Sequence, residues 1–96
     1  MEDSARRARI RDEIQLQQDR AARLSAAARH VSMKDFVERA ARDLCEAIAW
    51  LEVGADRLPD AESRWLSFVQ SIVEVAASRL RVADHALRTH GPNATW

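Results

Sequence analysis

The apolar residues of this chain recur in three long segments at the spacing of an α-helix. In the first and third segments they are alternately three and four residues apart, which is typical of helices packed side by side at a shallow angle, and in the second they are three or four residues apart. Gln17 is the one polar member of the first line. The three lines are Ile10, Ile14, Gln17, Ala21, Leu24, Ala28 and Val31; Met33, Val37, Ala40, Leu44, Ile48, Leu51, Ala55 and Leu58; and Leu66, Val69, Val73, Ala76, Leu80, Ala83 and Leu87.

The start of the second segment has the residues of a helix N-terminus. Ser32 can cap the helix, with Asp35 three residues later as a variant of the capping box. Val31 and Phe36 are placed for a hydrophobic staple across that cap. Because this junction contains neither glycine nor proline, the sequence is compatible with either a turn or a kinked continuous helix.

The other boundaries are marked by proline and glycine. Pro59 should end the second helix, and Asp60 should cap the third. Gly91 followed by Pro92 is typical of a helix C-terminus, and the residues after it are expected to form a short tail.

These boundaries predict one all-α domain over residues 1–96. We expect three long helices, at about 4–30, 33–58 and 61–90. Connections of two or three residues make consecutive helices antiparallel, which gives an elongated helical bundle. The scarcity of glycine and proline, with two of each in 96 residues, agrees with a few long helices.

The third segment has more apolar surface than a three-helix bundle requires. Its apolar positions sweep roughly 200° of the helix, whereas a surface helix needs little more than about 100°. The first segment offers only a narrow, alanine-rich stripe to cover it. We expect Phe68, Val75 and Val82 to be left over, and they predict a protein interface.

The occupant of that interface would be a second copy of the chain or a larger protein. Two-fold dimers are the commonest oligomers, so we expect a homodimer that forms a larger bundle. Trp50 lies off the main stripe of the second helix and is a candidate interface anchor; alternatively, its ring folds over Phe36 and Ala47. The candidate interface residues are Trp50, Trp65, Phe68, Ile72, Val75 and Val82.

Charge composition argues against a polyanionic partner. The 15 basic and 15 acidic residues cancel, so no net field attracts the chain to nucleic acid or to an acidic membrane. The alternative function is a nucleic-acid-binding regulator that uses the N-terminal arginines Arg6, Arg7, Arg9 and Arg11. Residues 1–30 carry seven arginines against five acids, a surplus of 7 − 5 = 2.

Catalytic and metal-binding patterns are scarce. The sequence has no glycine-rich phosphate loop and no HExxH motif, and its single cysteine, Cys45, excludes CxxC sites. A metal site built from His30, His90 and Asp84 is conceivable, but both histidines are explained by helix C-termini, which favour cationic side chains. We therefore expect no catalytic residues, no metal and no cofactor.

One short motif resembles a known enzyme family. The stretch RLRVADH places five residues between Arg79 and His85, which is similar to the Arg-(four to six)-His motif of HEPN-type ribonucleases. The stretch from Arg23 to His30 has comparable spacing. The resemblance covers seven residues and implies an RNA-cleaving helical dimer as a remote alternative.

The remaining expectations concern location and function. The N-terminus lacks the apolar core of a secretory signal, and no run of about 18 apolar residues could span a membrane, so a cytoplasmic protein is expected. We expect a small, non-enzymatic adaptor, regulator or inhibitor that acts by protein–protein interaction.

Overall fold

The protein is an all-α bundle of three helices. A computed structural model describes the backbone of residues 2–57 and 62–96 and the side chains of residues 4–53 and 64–96. The helices are α1 (Glu2–Ala27), α2 (Val31–Arg57) and α3 (Glu62–His90). The predicted fold class is confirmed.

Contacts between side chains define the direction of each helix. Arg79 of α3 reaches Asp43 of α2, and Trp65 reaches the backbone of Trp50, so residue numbers rise along one helix as they fall along the other. Arg20 of α1 pairs with Asp84, whereas Arg6 contacts Ser67. Helices α1 and α3 are therefore parallel to each other and antiparallel to α2.

The bundle is a rod. Its principal extents are 48 × 18 × 16 Å, and 29 residues of α3 account for about 43 Å of that length at 1.5 Å per residue. Helix α3 packs most extensively against α2 and least extensively against α1. The α1–α3 contact is consequently the least extensive of the three helix–helix contacts.

The core is formed where the three heptad lines meet. Almost every described member of these lines is buried, and Gln17 is buried with them, at 6% exposure. The exceptions are Val31, which is 75% exposed at the start of α2, and Ile48 and Leu87, which are partly buried. The largest fully buried side chains are Ile14, Met33, Leu44, Leu51, Leu66, Leu80, Val37 and Val69.

The first junction is a turn rather than a kinked helix, and its cap is not the predicted one. Helix α1 ends at Ala27, and His30 caps α2: its carbonyl accepts the Lys34 N–H at 3.1 Å and its Nδ1 accepts the Ser32 N–H at 3.1 Å. The prediction that Ser32 is the N-cap is wrong, because the cap is His30, two residues earlier in the chain. The staple is also absent, because Val31 faces solvent.

The C-terminal residues fold back over this junction. Gly91 adopts a φ of +79°, and its N–H donates to the Leu87 carbonyl at 2.9 Å, which confirms the predicted glycine C-terminus of α3. The chain then turns so that the Arg29 N–H donates to the Pro92 carbonyl at 2.8 Å.

Trp96 completes this contact. Its backbone N–H donates to Ser32 Oγ at 2.9 Å, and its indole ring stacks on the Phe36 ring with centroids 3.9 Å apart. Ala94 is buried beneath the turn, at 3% exposure. The segment is therefore part of the bundle, where the sequence predicted only a short tail.

The second junction lies outside the described residues. The predictions for Leu58, Pro59 and Asp60 fall there. The described part of α2 ends at Arg57, and that of α3 begins at Glu62.

Candidate protein-interaction face

Three aromatic rings from α2 and α3 gather on one side of the bundle. The Trp50 and Trp65 rings meet edge to face with centroids 5.4 Å apart, and the Phe68 ring lies 5.5 Å from Trp65 and 6.5 Å from Trp50. Aromatic pairs at these separations stabilise one another by about 0.5–1.5 kcal/mol beyond their buried area. We call these three residues the aromatic cluster.

Hydrogen bonds hold both indole rings in place. Trp65 Nε1 donates to the Trp50 carbonyl at 2.8 Å, and Trp50 Nε1 donates to Glu46 Oε1 at 3.2 Å. The alternative that Trp50 covers Phe36 is wrong, because Phe36 is stacked on Trp96. The aromatic cluster is thus a fixed surface whose polar atoms are already bonded.

A row of half-exposed apolar side chains continues from the aromatic cluster along α3. Phe68 is 48% exposed, Val75 51% and Val82 43%. Successive members are seven residues apart, so they lie on one line, which we call the outer face of α3. Of the other candidate interface residues, Trp50 is 37% exposed, whereas Trp65 and Ile72 are partly buried.

The row is uncovered because the two neighbouring helices lie on the other side of α3. The buried residues Leu66, Val73 and Leu80 point into the core, and at 100° per residue Val75 lies about 140–180° from them around the helix. Neither α1 nor α2 can reach so far round a cylinder of this width.

A shallow groove borders the row on its α2 side. Its cavity volume is about 400 Å³, and it is lined by Asp43, Glu46, Phe68, Ser71, Ile72 and Val75. Arg79 donates to Asp43 at 2.7 Å and ties the two helices together at its edge. The polar lining residues were not predictable from the sequence, because apolar periodicity does not indicate them.

Val53, 45% exposed, lies three positions from Trp50 on α2, whereas two other exposed apolar residues stand alone. Leu16 is 57% exposed on α1 and Val31 75% exposed at the first junction. Neither has another large apolar residue three, four or seven positions away on its exposed side. Single surface hydrophobic residues are normal, whereas a row is not.

The N-terminal arginines are divided among different surroundings. Arg6 donates to Ser67 Oγ at 2.9 Å and to Gln70 Oε1 at 3.2 Å, so it is bound to α3. Arg9 lines the groove between α1 and α3, Arg7 is partly buried and Arg11 is exposed. Arg6 and Arg9 share that groove with Arg81, Glu13 and Glu74, so basic and acidic side chains are mixed there, whereas a phosphate-binding surface needs a dense patch of one sign.

The remaining chemical candidates have structural partners. Asp84 is paired with Arg20 at 3.5 Å and with Arg88 at 3.2 Å, and His30 Nδ1 lies 2.8 Å from Ser32 Oγ. In the part of the chain that the structure describes, no three His, Cys, Asp or Glu residues are grouped to hold a metal ion.

The two residues of the ribonuclease-like pair lie on different sides of α3. Arg79 is engaged by Asp43, and His85 is exposed on α3. Because Arg79 and His85 are six positions apart in the helix, their side chains lie about 120° apart around its axis.

Comparisons with known proteins add no further guide. No family pattern, no characterised protein sequence and no solved structure matches this chain significantly. Among the described helices, none has a stretch sufficiently long and apolar to cross a membrane. The fold and site therefore define a three-helix bundle with one uncovered apolar face.

Proposed function

We propose that this is a non-enzymatic protein-interaction module, an adaptor, regulator or inhibitor that acts through the outer face of α3. The observation that supports it is the row of Phe68, Val75 and Val82, each about half exposed on a single line. Monomeric proteins seldom leave such a row uncovered, and contiguous apolar patches commonly mark interaction sites.

The aromatic cluster gives this face an anchor. Tryptophan is enriched among the residues that dominate binding energy, especially when it lies in the middle of a well-packed contact. Trp50 is held by its bond to Glu46, so little conformational freedom would be lost when a partner covers its exposed part.

The size of the face indicates how much more surface must take part. From residue 68 to 82 the row is about 21 Å long at 1.5 Å per residue. Fully burying a Val or Phe side chain is worth about 1.5–3 kcal/mol, so covering the exposed halves of three contributes about 3 kcal/mol. Since association itself costs at least about 4 kcal/mol, the partner must also cover the aromatic cluster and the groove beside it.

The test compares two aspartate substitutions at positions of similar exposure, Val75 at 51% and Leu16 at 57%. Val75→Asp places a charge in the row, and Leu16→Asp places one at a 57% exposed position on α1. Molar mass is measured by light scattering, and binding of the apolar dye bis-ANS is measured by fluorescence, with helicity checked by circular dichroism.

We expect the wild type either to exceed the chain mass of 10.9 kDa or, as a monomer, to bind the dye. Val75→Asp should abolish that behaviour, and Leu16→Asp should retain it. A monomeric wild type that does not bind the dye would overturn the proposal, as would equal effects of the two substitutions.

A further inference from the structure

We infer that the partner on the outer face of α3 is a second copy of this chain, with the two α3 helices antiparallel about a two-fold axis near residues 76 and 77. The inference rests on the proposed function and names the occupant of the same face. It is supported by the residues between the members of the row and by the charges along one edge of it.

Small residues alternate with large ones along the face. Ser71 and Ser78 lie between Phe68, Val75 and Val82, so large and small positions follow each other at spacings of three and four. Both serines are exposed. The face therefore has the spacing of a heptad seam, with small serines in place of apolar residues at every second position, where a second helix could approach closely.

Antiparallel pairing places each valine against a small residue of the other copy. With the axis near residues 76 and 77, Val75 faces Ser78 of the second copy, and Val82 faces its Ser71. Phe68 then faces His85, which is exposed in the single chain. A two-fold axis repeats each of these contacts once, so the whole row is covered.

Charges along one edge select this register. Glu74 and Arg81 each precede a valine of the row by one residue, so both lie on the same edge of the face. In the antiparallel dimer, Glu74 of each copy lies on the same edge as Arg81 of the other. The two are offset by two residues, about 3 Å along the axis, which these long side chains can span. Two intermolecular ion pairs result.

Neighbouring registers are unfavourable. A shift of one heptad in one direction places Glu74 opposite Glu74, and a shift in the other direction places Arg81 opposite Arg81. A parallel pair would place Glu74 beside Arg79, which is already engaged by Asp43 at 2.7 Å. Parallel α3 helices would also align their dipoles unfavourably.

Both charges are available for pairing between copies. Glu74 and Arg81 are exposed, and within the described residues neither takes part in an ion pair. The chain has zero formal net charge, so two copies meet without overall repulsion.

The test is a charge exchange across the two-fold axis. Glu74→Arg creates two Arg–Arg contacts, Arg81→Glu creates two Glu–Glu contacts, and the double variant restores two opposite-charge pairs. Dimer dissociation constants are measured by sedimentation over a range of concentrations. Glu38→Arg, the same charge change in the groove between α1 and α2, is the matched control.

We expect a wild-type particle of twice the 10.9 kDa chain mass. Each single variant should raise the dissociation constant about tenfold or more, since it replaces two attractive contacts by two repulsive ones, each of them individually weak because it is exposed to solvent. The double variant and Glu38→Arg should each remain within about threefold of the wild type.

The outcomes separate this inference from the proposed function. A wild type that stays monomeric at every concentration but binds bis-ANS, and loses that binding on Val75→Asp, overturns the homodimer and leaves the interaction face standing. A dimer that the single variants weaken and the double variant does not restore overturns the antiparallel register. Circular dichroism identifies any variant that fails to fold, and the other single variant then decides the register.

Discussion

Replacing Trp96 by alanine should destabilise the bundle measurably, although the residue lies beyond the last helix. Its ring stacks on Phe36, at 3.9 Å between centroids and 20° between planes, and it is 60% exposed. The substitution retains the backbone bond from residue 96 to Ser32 Oγ. The side-chain contact is therefore what the variant removes.

The size of the effect follows from the covered area. A tryptophan buries up to about 250 Å² when fully enclosed, so the covered two-fifths of Trp96 correspond to about 100 Å². At about 25 cal/mol per Å² this is about 2.5 kcal/mol, an upper value because unfolded chains already bury some surface. With the loss of stacking, we expect Trp96→Ala to lower the free energy of unfolding by about 2 kcal/mol.

Thermal unfolding measures this loss. For a domain of this size, 1 kcal/mol corresponds to roughly 4–8 °C, so the melting temperature should fall by about 10 °C. Trp96→Phe, which keeps an aromatic ring on Phe36, should lose less than half as much. All variants should carry Val75→Asp, so that self-association does not contribute. A melting temperature within about 2 °C of the parent would refute the contact.

Two further substitutions test single features of the fold. Gln17→Leu should raise the free energy of unfolding by about 1 kcal/mol in denaturant titrations, because the buried Gln17 Oε1 has no hydrogen-bond partner among the described protein groups. Gln15→Leu, at an exposed site, is the control. A loss of stability in Gln17→Leu would contradict this expectation. Gly91→Ala should lower the free energy of unfolding by about 1 kcal/mol through backbone strain alone, since nothing lies within 4 Å of an added Cβ. Gly91→Asn should lower the free energy of unfolding by less, because asparagine tolerates this conformation better. An unchanged denaturation midpoint for the alanine variant would exclude the left-handed conformation at Gly91.

The first junction shows where local sequence patterns are insufficient. The pattern around Ser32 predicted a cap and a staple, yet His30 caps α2 and Ser32 Oγ accepts the N–H of Trp96. The Ser32 hydroxyl has a partner 64 residues away in the chain. Because no local pattern includes that distant partner, the sequence could not show whether Ser32 or His30 would cap α2.

The candidate interaction face was predictable in part. The spacing of Phe68, Val75 and Val82 placed them on one line, and the narrow alanine stripe of the first helix indicated that they would lack cover. The grouping of Trp50 with Trp65 was not predictable, because it depends on the register between α2 and α3. Periodicity within one helix carries no information on that register.

The sequence by itself determined the three helical segments, the stripe that each buries and the glycine C-terminus of α3, but not whether the first two segments are separate helices. These features depend on interactions between residues at most seven positions apart, which helical geometry converts directly into faces and ends. Only the tertiary structure decided the cap of α2, the docking of Trp96 and the aromatic cluster. Each of these joins residues from separate elements, and their energies depend on distances that are set only when the helices pack together.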